Sequence, residues 1–232
     1  LTELSVKVLP KPETNKTLII NNPHLKKALE YFDITLSSSI DPSGGVFYPE
    51  YYRKNFTFND LTQKGALIGV RVEGPYNSVD HRIKKLCKEL DILNNEFSVL
   101  DHEQSNIFWE KTRKLQVFTS LKGSLLRAVV PVSETFEVIQ KLKKYENNYF
   151  LDWGGSLIWL QIEEINTKIL KEIKEIIQKA TGYLTVIKIE EDMKASIDIF
   201  TVDPIKYKIS EKIKKSFDPK RILNPGKMYS GI

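Results

Sequence analysis

Along positions 1–9 apolar and polar residues alternate, Leu4, Val6 and Val8 against Glu3, Ser5 and Lys7, until Pro10 and Pro12 end the run. This period of two predicts one strand and a stiff linker. A lone strand is not stable in water, so it needs a sheet elsewhere in the chain or in a domain outside it. From Asn15 the pattern switches between strand and helix. Thr17 to Ile20 reads as a strand, Asn22 as the cap of a helix starting at Pro23, and Val46 to Tyr48 and Ala66 to Val72 as two more strands. Ser78 to Leu90 has helical spacing at Val79, Ile83, Leu86, Cys87 and Leu90, and Phe97 to Leu100 closes the series as a strand. Strand, helix, strand, strand, helix, strand is the split βαβ, ferredoxin-like order.

After a helix over Ser105 to Leu115 the same order returns. Leu125 to Val130 is a strand and Ser133 to Lys143 a helix; Tyr149 to Asp152 and Leu157 to Gln161 are strands around the turn Trp153, Gly154, Gly155. Asn166 to Lys179 is a helix with Ile169, Ile173, Ile176 and Ile177 on one face, and Leu184 to Ile187 is the closing strand. The expected fold class is therefore α+β, a duplicated ferredoxin-like antiparallel sheet with helices on one face, although no residue-level repeat accompanies it. Positions 188–203 show no clear periodicity. Asp203 and Pro204 open a last helix that runs through Lys215, and Asp218 with Pro219 ends it. Three segments result: 1–13 as a strand and linker, 14–203 as the α+β domain, and 204–232 as a helix with a tail. The chain opens on Leu, directly in a strand, and reads as a truncated piece that starts inside something longer.

Composition narrows the function classes. With 232 residues, 41% hydrophobic and 28% charged, the chain has ordinary globular composition. Its 35 basic and 30 acidic residues are mixed on helix faces. No basic stripe interleaved with aromatics appears, which argues against nucleic-acid binding. A single cysteine, Cys87, excludes an intrachain disulfide and suits a reducing compartment. Its helical spacing makes it a small buried hydrophobe rather than a nucleophile. No stretch approaches the roughly 20 apolar residues that cross a bilayer, so a cytoplasmic protein, peripheral on a membrane only through partners, is expected.

Standard catalytic motifs are mostly absent. There is no glycine-rich phosphate loop before a Lys, no G-x-G-x-x-G and no G-x-S-x-G. His24, His81 and His102 are scattered, without metal-ligand spacing, and read as surface histidines; no metal site is expected. Glu163 with Glu164 and Glu190 with Glu191 are adjacent pairs whose side chains diverge. Trp109, Trp153 and Trp159 read as core anchors, with Trp153, on the Gly-Gly turn, the one best placed to face a cleft. Arg127 stands out within the apolar run Leu125 to Val130, on the face opposite Leu126 and Ala128, where a guanidinium wants a structural carboxylate or a bound acid. The strongest signal is the run Phe217 to Tyr229, a helix stop followed by a rigid Asn224-Pro225-Gly226-Lys227 turn presenting an amide, exposed backbone and a cation.

That tail resembles the D-P-x-x-[IL]-x-N-P-G-[KR] ending of FAD-linked oxidases of the p-cresol methylhydroxylase type, and Met228 and Tyr229 extend the likeness toward glycolate oxidase E subunits. Residues Leu1 to Pro10 resemble the last strand of that family's flavin domain. Phe108, Trp109 and Arg113, then Leu126, Arg127 and Pro131, then Asp152, Trp153, Gly154, Gly155, Trp159 and Leu160 match in order between them. The resemblance implies a complex that oxidises glycolate, a small 2-hydroxy acid, to glyoxylate, passing a hydride to FAD and electrons to an iron-sulfur subunit beside a flavin-containing D-like subunit. It places Asn224, Pro225, Gly226 and Lys227 over the flavin, and Arg127, Trp153 and Tyr229 at the substrate cleft. Two departures follow: the family's Gly-rich flavin-phosphate segment is missing, so this chain alone is expected to bind no FAD, and the His-rich motifs of related D subunits are absent. The chain is thus expected to be no independent catalyst. A scaffold or assembly subunit, or a truncated gene product, is the competing reading; a stand-alone ferredoxin-like binding module leaves the tail unexplained.

Overall fold

The computed structural model describes residues 3–8, 10–56, 65–92, 96–119, 122–194, 197–226 and 229. Its elements are β1 (Thr14–Asn21), α1 (Leu25–Ser37), β2 (Gly44–Tyr48), β3 (Leu67–Gly74), α2 (Tyr76–Glu89), β4 (Phe97–Leu100), α3 (His102–Arg113), β5 (Ser124–Val129), α4 (Val132–Leu142), β6 (Asn147–Asp152), β7 (Leu157–Ile162), α5 (Thr167–Lys179), β8 (Tyr183–Lys188), α6 (Glu191–Lys194) and α7 (Pro204–Phe217). The strands form one sheet in the order β4-β1-β3-β2-β6-β7-β5-β8, and every pairing is antiparallel. Each half has the 4-1-3-2 order of a split βαβ unit, and the two units meet as mirror-ordered neighbours at β2 and β6. The duplicated α+β reading holds.

Alternation along the strands divides the side chains between two faces. Leu18, Ile20, Phe47, Ile68, Val70 and Val72 in the first half, with Leu126, Ala128, Leu151, Ile158 and Leu160 in the second, pack with the buried residues of α1, α2, α4 and α5. The other face is not empty. Ile19, Val46, Tyr48, Leu67 and Phe150 pack there with Phe108 of α3 and with Tyr52, Phe56, Val117 and Phe118. Tyr48 stacks on Phe150 with centroids 4.8 Å apart and meets Phe56 at 4.5 Å. The close approach of α3 depends on glycines in the strands beneath it. A Cβ on Gly69 would lie 2.9 Å from the Phe108 ring, and one on Gly44 would lie 2.8 Å from Trp109.

Local signals set several boundaries. Asp101 and Gln104 form a capping box on α3, Asn166 caps α5, and Asp203 accepts from the amides of Ile205 and Lys206 with Pro204 in the first turn of α7. Helix α1 starts later than expected, with His24 in the cap position, because Asn22 adopts a positive φ of 54°. The stretch after β8, which lacks periodicity, partly extends the sheet: Val186 donates to Ile199, Thr201 donates to Leu184, and Thr185 bridges Phe200. Lys174 of α5 pins this bridging segment by donating to the carbonyls of Asp198 and Phe200. Residues 3–8 form no strand within the described chain, and Leu4, Val6 and Val8 are exposed. No helix of the described residues is long and apolar enough to cross a membrane.

Candidate functional site

The two half-sheets touch at one register pair, Phe47 with Leu151. At one end of this seam the Tyr51 hydroxyl donates to the Tyr149 carbonyl at 2.9 Å and accepts from the Tyr149 amide at 2.8 Å, so a side chain replaces the missing ladder bonds. At the other end the seam opens into a pocket of about 710 Å³. Gly44, Gly45 and Arg71 line it from the first half, Trp109 and Arg113 from α3, and Asp152, Trp153 and Gly154 from the second half.

Strand alternation places the charged groups. Arg71 lies opposite Thr17 and Gly44, on the α3 side of the sheet, and Arg127 lies opposite Trp159 and Thr185 on the same side. Arg71 is tied down: its guanidinium donates to the Ser43 hydroxyl at 3.1 Å, reaches Glu73 at 3.4 Å and sits 5.0 Å from the Trp109 ring centroid. Trp109 is held in turn by its indole N–H, which donates to Thr17 at 2.8 Å. Arg127 is different. Its guanidinium sits 4.8 Å from the Trp153 ring centroid and makes no hydrogen bond or ion pair among the described residues.

Asp152 stands at the end of β6, and one carboxylate oxygen accepts from the Trp153 amide at 2.7 Å. Burial pushes its carboxyl above the usual range, while the amide bond and the charges of Arg127 and Arg71 pull the other way. Trp153 has a φ of 52° and is 56% exposed. That left-handed backbone turns the ring outward instead of into the core.

The structure thus brings Arg127 and Trp153 together and adds Arg71, Trp109 and Asp152 to them. Tyr229 is not with them: it is buried against Phe200 and Tyr207 at the β8 edge. Asn224, Pro225 and Gly226 are exposed, Asn224 has a φ of 46°, and a Cβ on Gly226 would meet nothing. Lys227 and Met228 lie outside the described residues. The backbone before this turn is clasped by Asp218, which accepts from the amides of Ile222 at 3.0 Å and Leu223 at 2.9 Å and pairs with Lys214 at 2.7 Å. The lysine and the two amides hold the Asp218 carboxyl down to about 2.

Sequence reasoning took Asp218 only as a helix stop and passed over Arg71. The signal that marked Arg127, a cation inside an apolar strand, also marks Arg71 within Leu67 to Val72. His102 is half-buried, not a surface residue, and its Nδ1 faces the Asn15 amide at 3.3 Å. Cys87 is half-buried with its thiol pushed up by burial, as an inert packing residue would be. No cluster of His, Cys, Asp and Glu able to hold a metal exists among the described residues.

The family described as FAD linked oxidases, C-terminal domain, matches residues 200–228, which hold α7, the Asp218 clasp and the Asn-Pro-Gly turn. Among solved structures, p-cresol methylhydroxylase with substrate bound superposes with a TM-score of 0.62 at 14% identity, over 95% of this chain and 54% of that one. Alkyldihydroxyacetonephosphate synthase superposes at 0.58 and 14% identity, over 93% and 44%. The chain has the fold of an FAD-linked oxidase C-terminal region. Glycolate oxidase subunit GlcE of Escherichia coli (strain K12) is 26% identical across 100% of this chain and 54% of its own length. Glycolate oxidase subunit GlcD of Bacillus subtilis (strain 168) is 24% identical across 99% of the chain and 54% of its length. The chain therefore spans about half the length of the curated relatives it matches.

Proposed function

We propose that this chain is the substrate-side half of a glycolate-oxidase-like, FAD-linked 2-hydroxy-acid oxidase, and that it works against a flavin-carrying half. The observation that carries this reading is Arg127, a half-buried guanidinium with no hydrogen bond or close ion pair among the described residues, laid against Trp153 beside the seam pocket. An Arg with free donors is suited to a carboxylate. The glycolate oxidase relatives supply the class of acid.

The residues present fit a flavin only as a wall. Asn224 offers an amide and Gly226 an unobstructed backbone, but no Gly-rich phosphate segment occurs in the chain. When bound, FAD supplies the hydride acceptor; this chain's part is to seat the acid and exclude water. Helix α7 supports a second body. None of its 14 residues is buried, and Ile205, Ile209, Ile213 and Phe217 form an exposed apolar stripe, with Phe217 84% exposed. Such a stripe is a docking surface by its chemistry. A flavin-carrying body is the occupant this reading gives that surface, and an iron-sulfur subunit completes its electron path.

Titration of the isotopically labelled chain with glycolate tests the carboxylate site. Glycolate is expected to shift the Trp153 indole resonance, and Arg127→Met to abolish that shift while leaving the fold unchanged. A wild-type chain whose Trp153 resonance ignores glycolate at tens of millimolar would refute the reading.

A further inference from the structure

Resting on the carboxylate site just proposed, we infer that Asp152 is the specificity-determining residue that reads the 2-hydroxyl of the bound acid. Asp152 lines the pocket and carries one oxygen occupied by the Trp153 amide and a second oxygen that accepts no hydrogen bond among the described residues. Register puts it on the same face of the sheet as Arg127, across β7 through Trp159 and Phe150, and Arg71 lines the same pocket, yet among the described residues it forms an ion pair with neither. A direct ion pair would have closed the site. A cation held against Trp153 and a carboxylate on the same face, not paired with each other, suit a small molecule that presents an acceptor to the first and a donor to the second.

A 2-hydroxy acid is such a molecule. Its carboxylate meets the guanidinium and its hydroxyl donates to the free Asp152 oxygen, each contact about 2.6–3.0 Å long. An acid without the hydroxyl leaves that oxygen facing the ligand with no proton donor. A 2-oxo acid turns a carbonyl oxygen toward it, acceptor against acceptor. Asp152 therefore ranks 2-hydroxy acids first, unsubstituted acids second and 2-oxo acids last. Trp153 fixes the geometry, because its amide locks the carboxylate and its ring shields Arg127. The same ordering favours release of the oxidised product.

The test compares matched pairs on the whole chain, glycolate against acetate and lactate against pyruvate, by the Trp153 indole shift. Pyruvate is used in place of glyoxylate because glyoxylate is hydrated in water and regains hydroxyls. The wild type is expected to prefer each hydroxy acid by about tenfold or more, since a site built around a hydroxyl penalises its loss. Asp152→Asn, which keeps an oxygen for the Trp153 amide, is expected to reduce both preferences to about twofold or less while acetate binds no more weakly than before. Asp152→Ser, which also retains a cap, gives the same result if the asparagine variant folds poorly. Equal binding of glycolate and acetate to the wild type overturns the role of Asp152 and leaves the carboxylate site standing. Unchanged preference in both variants overturns it as well. Loss of all binding in Arg127→Met with preference intact in the wild type supports both.

Discussion

The two halves of the sheet share one strand order and finish it differently. In the first half the helix that follows the fourth strand, α3, folds back onto the sheet and buries Phe108 over Gly69. In the second half the long helix after the fourth strand, α7, follows the short α6; it is as well capped and slightly longer, yet none of its own residues is buried. The sheet beneath α3 is filled with aromatic rings, whereas the corresponding face of the second half carries Arg127, Thr185 and a half-buried Trp159. The reverse holds at the outer edges: the segment 197–202 bridges β8, while β4 pairs, among the described residues, with β1 alone. One half is completed by its own chain and one is left unfinished on the face that carries the candidate site. A helix of 14 residues is marginal without tertiary packing, which is why an unburied α7 suits the docking role proposed for it.

The contrast between α3 and α7 is broken most directly by truncation. Phe108→Ala is expected to cost about 3–5 kcal/mol, a fully buried ring removed from a close-packed cluster. Ile209→Ala is expected to stay within about 0.5 kcal/mol in the isolated chain, because its side chain is already in water. Urea denaturation of both variants decides it; a large cost for Ile209→Ala would mean that α7 is packed after all.

A smaller effect belongs to the clasp that ends α7. The Asp218 carboxyl is held at about 2 in the folded chain, below the roughly 3.9 of an unfolded aspartate. A depressed value means that its contribution is present above the unfolded value and is lost as pH falls toward 2. Between about pH 4 and 2 the Ile222 and Leu223 amides should therefore lose their acceptor, visible as a cooperative change in their resonances. Asp218→Asn should remove that titration.

The smallest effect is at the site itself and has the opposite sign. Burial raises the Asp152 carboxyl, so its contribution is greatest below the unfolded value and is lost as pH rises through the folded one. Asp152→Asn is thus expected to raise the melting temperature slightly at pH 7, with the gain shrinking as pH approaches 4. A drop in melting temperature at pH 7 would show that the ionised carboxylate stabilises the fold instead of serving the pocket.

The order of strands and helices was legible from the chain alone because period-two and period-3.6 patterns report which side of each element is buried. Arg127, Trp153 and the Asn-Pro-Gly turn were legible for the same reason: each interrupts a pattern, a cation in an apolar strand or a ring on a glycine turn. Helices on one face were expected, and α3 lies on the other, because its placement depends on Gly44 and Gly69 making room from distant strands. Periodicity within α3 says that one side is buried but not against which face. Tyr229 was grouped with the cleft by its place in the tail, and contact with Phe200 and Tyr207 puts it elsewhere. Only the tertiary structure decided that Arg71, Arg127 and Asp152 share one seam. They lie on three strands separated by up to about a third of the chain, and no local pattern encodes where two half-sheets meet. The sequence alone determined the elements and the oxidase-like tail; the site exists only where the register of β2 against β6 leaves the sheet open.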